Sequence, residues 1–398
     1  MLVAATGVGA GDLATGAFTG AKLGVAVLWA AVLGAILKFV LGEGLARWQI
    51  ATGQTVLEGA LLRLGRPLRW IFLLYLVPWT WFVGSALISA CGVCSHALLP
   101  LLDDPADGKI AYGAVCSLAG LALVRRGGFR LFERCMRVCI ALMFVTVVVT
   151  AALLVDDWGA VIAGLLVPRI PDAGGQGLTW TLALIGGVGG TLTVICYGYW
   201  IRETGRDGED DLWLCRVDLA VGYGVTALFG IAMVILGSGV EVTGSGAGLV
   251  VLLADRLEEL LGPVAALAFL LGAFGAVFSS LLGVWQAVPY VFADFWAITV
   301  EGRQGGAPVD TAGRPYRVYL YAIALVPLLG LRFPFREVQK LYSVVGALFL
   351  PLLALTLLLL NGRRDWVGER LRNRWASTLA LTATLLFFAL IELLRWFD

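Results

Sequence analysis

Met1-Leu-Val-Ala-Ala-Thr6-Gly7-Val-Gly9-Ala-Gly11-Asp12-Leu-Ala-Thr15 opens the chain, and its reading decides the fold. The stretch is apolar enough to enter a bilayer, yet glycine recurs at Gly7, Gly9 and Gly11 and a carboxylate, Asp12, follows. Each glycine in a helix interior costs about 1 kcal/mol relative to alanine. A carboxylate near mid-bilayer costs about 2.5–3.5 kcal/mol on insertion scales. Both features fit a helix that unwinds here and turns backbone carbonyls and Asp12 toward a ligand.

The surroundings are those of a polytopic membrane protein. Of 398 residues, 60% are hydrophobic and 14% charged, whereas soluble domains run nearer a quarter charged. A net charge of +1 offers no basic surface for nucleic acid. The seven cysteines lie scattered in apolar segments and read as small buried hydrophobes, not a disulfide framework. Cys91 and Cys94 form a CxxC with no second pair nearby, and the single histidine, His96, excludes any site needing two.

Hydropathy places eleven spans, at 2–20, 24–45, 70–100, 110–124, 136–155, 180–200, 214–238, 263–296, 317–331, 338–360 and 376–397. No basic n-region marks a cleavable signal. With the amino terminus cytoplasmic, the inner loops hold 20 of the 29 basic residues, so the expected topology is amino terminus in and carboxyl terminus out. The expected setting is a bacterial-type inner membrane. Eight residues precede Gly9, about 12 Å of helix against a hydrocarbon core of about 30 Å, so the start is expected to be truncated or misassigned.

Span 6 carries Gly186-Gly187-Val188-Gly189-Gly190-Thr191, the second stretch poor in side chains. Spans 1 and 6 each begin a set of five, over 1–155 and 180–360, with 376–397 as an extra helix. Interrupted helices at matching positions of two halves point to an inverted-repeat transporter with its site between the breaks. Elsewhere, as at Gly20-x-x-x-Gly24, glycine is read as close helix packing.

At this point the residues resemble a known family, the Nramp divalent-metal transporters, which have a LeuT-type fold. Glu43-Gly-Leu-Ala-Arg47-Trp-Gln-Ile-Ala-Thr-Gly53 is similar to the family's E-L-A-A-R-L-G-I-A-T-G segment almost position for position. Arg126-Gly-Gly-Phe-Arg-Leu-Phe-Glu133 and Pro168-Arg-Ile-Pro171 also resemble the family. The likeness implies an all-α LeuT-type 5+5 inverted repeat that carries a divalent cation. It also implies which positions differ. The family's D-P-G-N signature falls on Gly9-Ala10-Gly11-Asp12, and its span 6 methionine and histidine fall on Gly190 and Leu192. Trp70–Leu102 holds no acidic residue, where the family's proton route draws on carboxylates. Transport without the usual proton coupling is therefore expected.

The candidate binding residues are Gly9, Gly11, Asp12, Gly187, Gly190 and Thr191. With hydroxyls from Thr6, Thr191 or Thr193, the donors are all oxygen, which suits magnesium, calcium or manganese better than zinc or copper. The expected cargo is a divalent cation of the magnesium, manganese and iron class. Asp12 is either a metal ligand or the N-cap of a half-helix starting at Leu13. Cys196 is read as packing. The other reading of the same fold is transport of an amino acid or another small organic solute, which Tyr197, Tyr199 and Trp200 would suit. A receptor lacks an output domain, and an enzyme lacks a nucleophile paired with a base. No cofactor is expected beyond the transported ion. The expected partners are that cation or solute and the lipid bilayer.

Five further charges form a structural or gating group. Glu43 and Arg47, at i and i+4, read as a latch. Lys38, inside span 2, either snorkels or meets Asp12. Arg202 and Glu203 close span 6 beside Asp218. Asp294 and Glu392 are read as interfacial anchors.

Overall fold

The computed structural model describes residues 9, 11–126, 130–206, 208–242 and 244–397. Thr6, Gly7 and the first part of span 1 lie outside the described residues, as do the side chains of Cys135, Cys139 and Glu392.

Every regular element among the described residues is helical. A π-helical turn, Gly11–Thr15, leads into α1 (Gly16–Leu23), and a 3-10 turn, Gly24–Val27, joins it to α2 (Leu28–Thr52). There follow α3 (Val56–Arg63), α4 (Arg66–Leu98), α5 (Pro105–Arg126), α6 (Arg130–Leu153) and α7 (Trp158–Leu166). Span 6 is split into α8 (Gly177–Gly187) and α9 (Cys196–Glu203). The rest comprises α10 (Asp211–Ser238), α11 (Leu249–Leu261), α12 (Pro263–Thr299), α13 (Arg314–Leu325), α14 (Phe335–Ala347), α15 (Phe349–Asn361), α16 (Arg364–Leu371) and α17 (Trp375–Phe397). Seven runs are long and apolar enough to cross a membrane, the first being Gly11–Thr52 taken whole. An eighth arises if α6 from Ile140 and α7, bent by 114°, count together.

Local chemistry explains the boundaries. Gly53 (φ 66°) ends α2 in the left-handed region, and Thr55 opens α3 through a capping box with Glu58. Pro67 and Pro263 occupy first-turn positions, where their missing amide costs nothing. Gly20 and Gly24 have different jobs. A Cβ on Gly20 would lie 2.0 Å from the Val234 carbonyl oxygen, so α1 and α10 touch backbone to backbone there. Gly24 faces open space with φ 66° and terminates α1, so its role is the turn and not the packing expected from the sequence.

Helices α3, α7, α11 and α16 were not expected. They are short or amphipathic and pack beside the spanning helices. Gly164 of α7 presses on the turn after α1, where a Cβ would lie 2.1 Å from the Val25 carbonyl oxygen.

Candidate functional site

The two glycine-rich stretches meet. A Cβ on Gly11 would lie 2.7 Å from the Gly187 carbonyl oxygen, so only a glycine lets the start of the first helix abut the end of α8. Past that contact the chain runs through Gly189 (φ 78°) and Gly190 (φ 83°). Two consecutive left-handed residues are what a helix interruption needs and what a Cβ resists. The 3-10 turn Leu192–Ile195 then leads into α9.

Each helix end at this junction carries a charge of complementary sign. Asp12, 2% exposed, sits at the start of the first helix, where unpaired amides favour an anion. One carboxylate oxygen accepts from the Gly9 amide at 3.1 Å and the other from the Gly189 amide at 3.0 Å. Helical structure has already begun at Gly11, and the Leu13 amide bonds back to the Gly9 carbonyl at 3.1 Å. Asp12 is therefore not a cap for a helix starting at Leu13. It is the backward-reaching arm of a capping-box arrangement, and it also ties span 1 to span 6.

Lys38 holds the opposite end. Fully buried on α2, its Nζ donates to the carbonyl of Ile185 at 3.1 Å, to that of Gly186 at 2.9 Å, and to that of Val188. It neither snorkels to an interface nor forms a direct ion pair with Asp12. The link runs through one peptide unit: Lys38 binds the Val188 carbonyl, and Asp12 binds the Gly189 amide of the same group. That amide dipole lies aligned between the two charges.

A cavity of about 90 Å³ opens beside this junction. Gly9, Gly11, Asp12, Gly187 and Gly190 all line it. Thr191 does not. Its hydroxyl turns toward α4 and accepts from Trp79 Nε1 at 3.0 Å, which corrects the reading of Thr191 as a cavity ligand. Thr193 supplies a hydroxyl to the wall instead, and Cys196, Tyr197 and Trp200 reach it from α9. Tyr199 faces away and donates to Asp294 at 2.6 Å. Sequence reasoning missed Ser279, Ser280 and Gly283 of α12, Tyr223 of α10 and Tyr342 of α14, all in the wall. Two adjacent serines, four and three residues before Gly283 in an otherwise apolar span, were the available signal for α12. Among the described residues no three His, Cys, Asp or Glu side chains converge, so a cation here would rely on Asp12 and backbone or hydroxyl oxygens.

At the arginine-rich end of the bundle, a charged knot lies beyond the cavity. Glu58, fully buried, accepts from Arg202 at 2.5 Å, from the Gly306 amide at 3.2 Å and from the Thr55 amide at 2.7 Å. Arg303 lies 3.6 Å from Glu58 and also pairs with Asp294, which is itself fully buried. Asp294 is thus a partner within the bundle, not an interfacial anchor. Arg202 further donates to the Gly53 and Ala307 carbonyls, at 3.2 and 3.4 Å. Glu203 is exposed and joins no ion pair among the described residues, whereas Arg202 pairs with Glu58. The Thr55-x-x-Glu58 spacing was a legible capping-box signal, but nothing in the sequence tied it to Arg202 or Arg303. A second cluster joins Glu43 to Arg47 at 2.8 Å and to Arg216 at 2.7 Å, while Arg206 and Tyr197 reach Asp218 at 3.6 and 3.4 Å.

Known proteins match this chain along almost its whole length. The family model for natural resistance-associated macrophage protein-like (Nramp) sequences covers residues 1–396. The chain belongs to the Nramp family. A divalent metal cation transporter MntH of Verminephrobacter eiseniae is 25% identical over 404 aligned residues, covering 96% of this chain and 85% of its own. A manganese transporter of Eremococcus coleocola, crystallised with an aromatic bis-isothiourea compound, superposes with a TM-score of 0.74 at 17% identity, covering 98% and 84% of the two chains. MhsT bound to L-phenylalanine superposes with a TM-score of 0.66 at 17% identity over 99% of this chain and 96% of its own. The fold of this Nramp-family protein is therefore the LeuT type, all-α and membrane-embedded.

Proposed function

We propose that this protein is a secondary transporter that moves a divalent metal cation of the magnesium, manganese and iron(II) class. Its family consists of transporters and not enzymes. The observation that carries the reading is Asp12: a buried carboxylate lining a cavity where two interrupted helices meet. Gly9, Gly187, Gly190, Thr193 and Ser280 line the same cavity and offer backbone and hydroxyl oxygens, hard donors that suit such an ion. The similarity to a divalent metal cation transporter of Verminephrobacter and a manganese transporter of Eremococcus makes manganese the first ion to test.

Transport runs without the usual proton coupling. The stretch Trp70–Leu102 holds no acidic residue, and Leu192 stands where the family's span 6 histidine is expected. In this reading, 1–155 and 180–360 are the two inverted repeats that rock about the junction, and 376–397 is peripheral. The arginine-rich end, closed by Glu58, Arg202, Arg303 and Asp294, faces the cytoplasm.

A second reading rests on the aromatic wall of Tyr197, Trp200 and Tyr223 and on the offset of Asp12 by Lys38, which together suit a small organic zwitterion.

Reconstituted vesicles separate the two. Manganese should enter vesicles holding the native protein, with no acidification of the lumen, and Asp12→Ala should lower the rate at least tenfold. Uptake unchanged in Asp12→Ala would remove Asp12 from the site. Absence of any divalent uptake, with a thermal shift on adding an amino acid, would replace the metal reading by the organic one.

A further inference from the structure

The environment of Lys38 is that of a bound metal ion. The first helix half of span 6, α8, ends at Gly187, and the final carbonyls of such a helix have no partner within it. The Val188 amide still bonds to Leu184 at 3.1 Å, which leaves the carbonyls beyond Leu184 to be satisfied from outside. Three of them, on Ile185, Gly186 and Val188, converge on Lys38 Nζ. An ammonium has three donors and no acceptor, so all its hydrogen-bonding capacity is spent on these oxygens. None is left for a cargo anion, and Lys38 is fully buried and does not line the cavity. Converging carbonyls at an unwound helix end are also the arrangement that coordinates free alkali cations in transporters.

We propose that Lys38 is a tethered cation filling a monovalent-cation site formed by the carbonyls of Ile185, Gly186 and Val188. The interrupted helix is thereby held open without a free sodium or potassium ion. The lysine also positions Asp12: by fixing the Val188 carbonyl it fixes the direction of the Gly189 amide that Asp12 accepts from. The proposal concerns helix geometry and does not depend on what the cavity carries. Its readout is therefore separate from uptake.

The test is thermal unfolding of the purified protein in sodium, potassium or choline chloride at matched ionic strength. The native protein should melt at the same temperature in all three, because its site is already filled. Lys38→Met keeps an unbranched apolar stem and removes the charge. It should melt lower in choline and recover by about 3 °C or more in sodium or potassium, since an ion that binds only the folded state raises its stability by mass action. Lys38→Ala leaves room for everything beyond Cβ and should be rescued by n-propylammonium but not by n-propanol. A native protein stabilised by sodium or potassium over choline would overturn the proposal, and this arm needs no variant to fold. So would a Lys38→Met protein that melts alike in all three salts, or a Lys38→Ala protein to which propylammonium and propanol are equivalent.

Discussion

The peptide between Val188 and Gly189 has its oxygen on an ammonium and its amide on a carboxylate, a polarised bridge between Lys38 and Asp12. Burying either charge alone would cost several kcal/mol, and the bridge lets both stay buried without touching. At this scale the sequence was half legible. Gly11 and Gly187 mark an interruption in the sequence, whereas the close approach of Gly11 to the Gly187 carbonyl, which a Cβ would block, is not foreseeable from them. The direction of a side chain at a break is not encoded in spacing. Thr191 lies next to Gly190 yet turns out of the cavity because Trp79 offers an indole donor on α4. Thr191→Val should therefore leave vesicle uptake within about twofold of native, while melting lower by the worth of one buried hydrogen bond, about 1 kcal/mol. A tenfold loss of uptake with unchanged stability would return Thr191 to the site.

At the scale of elements, the interruptions and the spanning helices followed from composition, whereas the short helices did not. Helices α3 and α7 hold eight and nine residues, so hydropathy averaged over a membrane-length window passes over them. The first of them matters most. Its capping residue Glu58 serves its own helix through the Thr55 amide and serves the bundle through Arg202 and Arg303. Removing one member of such a buried set leaves uncompensated charge, at a cost of about 3–5 kcal/mol. Glu58→Ala should lower the melting temperature markedly, and Glu58→Gln should do so less because the capping bond to Thr55 survives. Both should raise the labelling rate of a cysteine placed at Trp200 by a thiol reagent added from the arginine-rich side. Equal rates in native and variant backgrounds would mean that this knot does not close the passage.

For the molecule as a whole, the LeuT-type architecture follows from one pairing, two interrupted helices in contact, and the remaining helices pack around it. The count of spans is less sharp, because Gly11–Thr52, 42 residues long, counts as one apolar run although Gly24 ends α1 within it, and Trp375–Ile391 is short for a bilayer. Orientation is a matter of charge and can be measured directly. The positive-inside bias predicts that Glu259→Cys, on a side chain 65% exposed after α10, reacts with an impermeant maleimide in intact cells. Arg364→Cys, 70% exposed on the arginine-rich side, should react only after permeabilisation. The opposite pattern would invert the protein in the membrane.

The knot at the arginine-rich end joins two carboxylates, Glu58 and Asp294, to two guanidinium groups, Arg202 and Arg303. A potential of 100 mV exerts about 2.3 kcal/mol on each elementary charge carried across it. Four charges that cancel carry nothing when they move together, and the Lys38 and Asp12 pair cancels in the same way. Motion of these two groups then adds no gating charge of its own. Any voltage dependence of turnover should come from the cargo and from the uncancelled Glu43, Arg47 and Arg216 cluster.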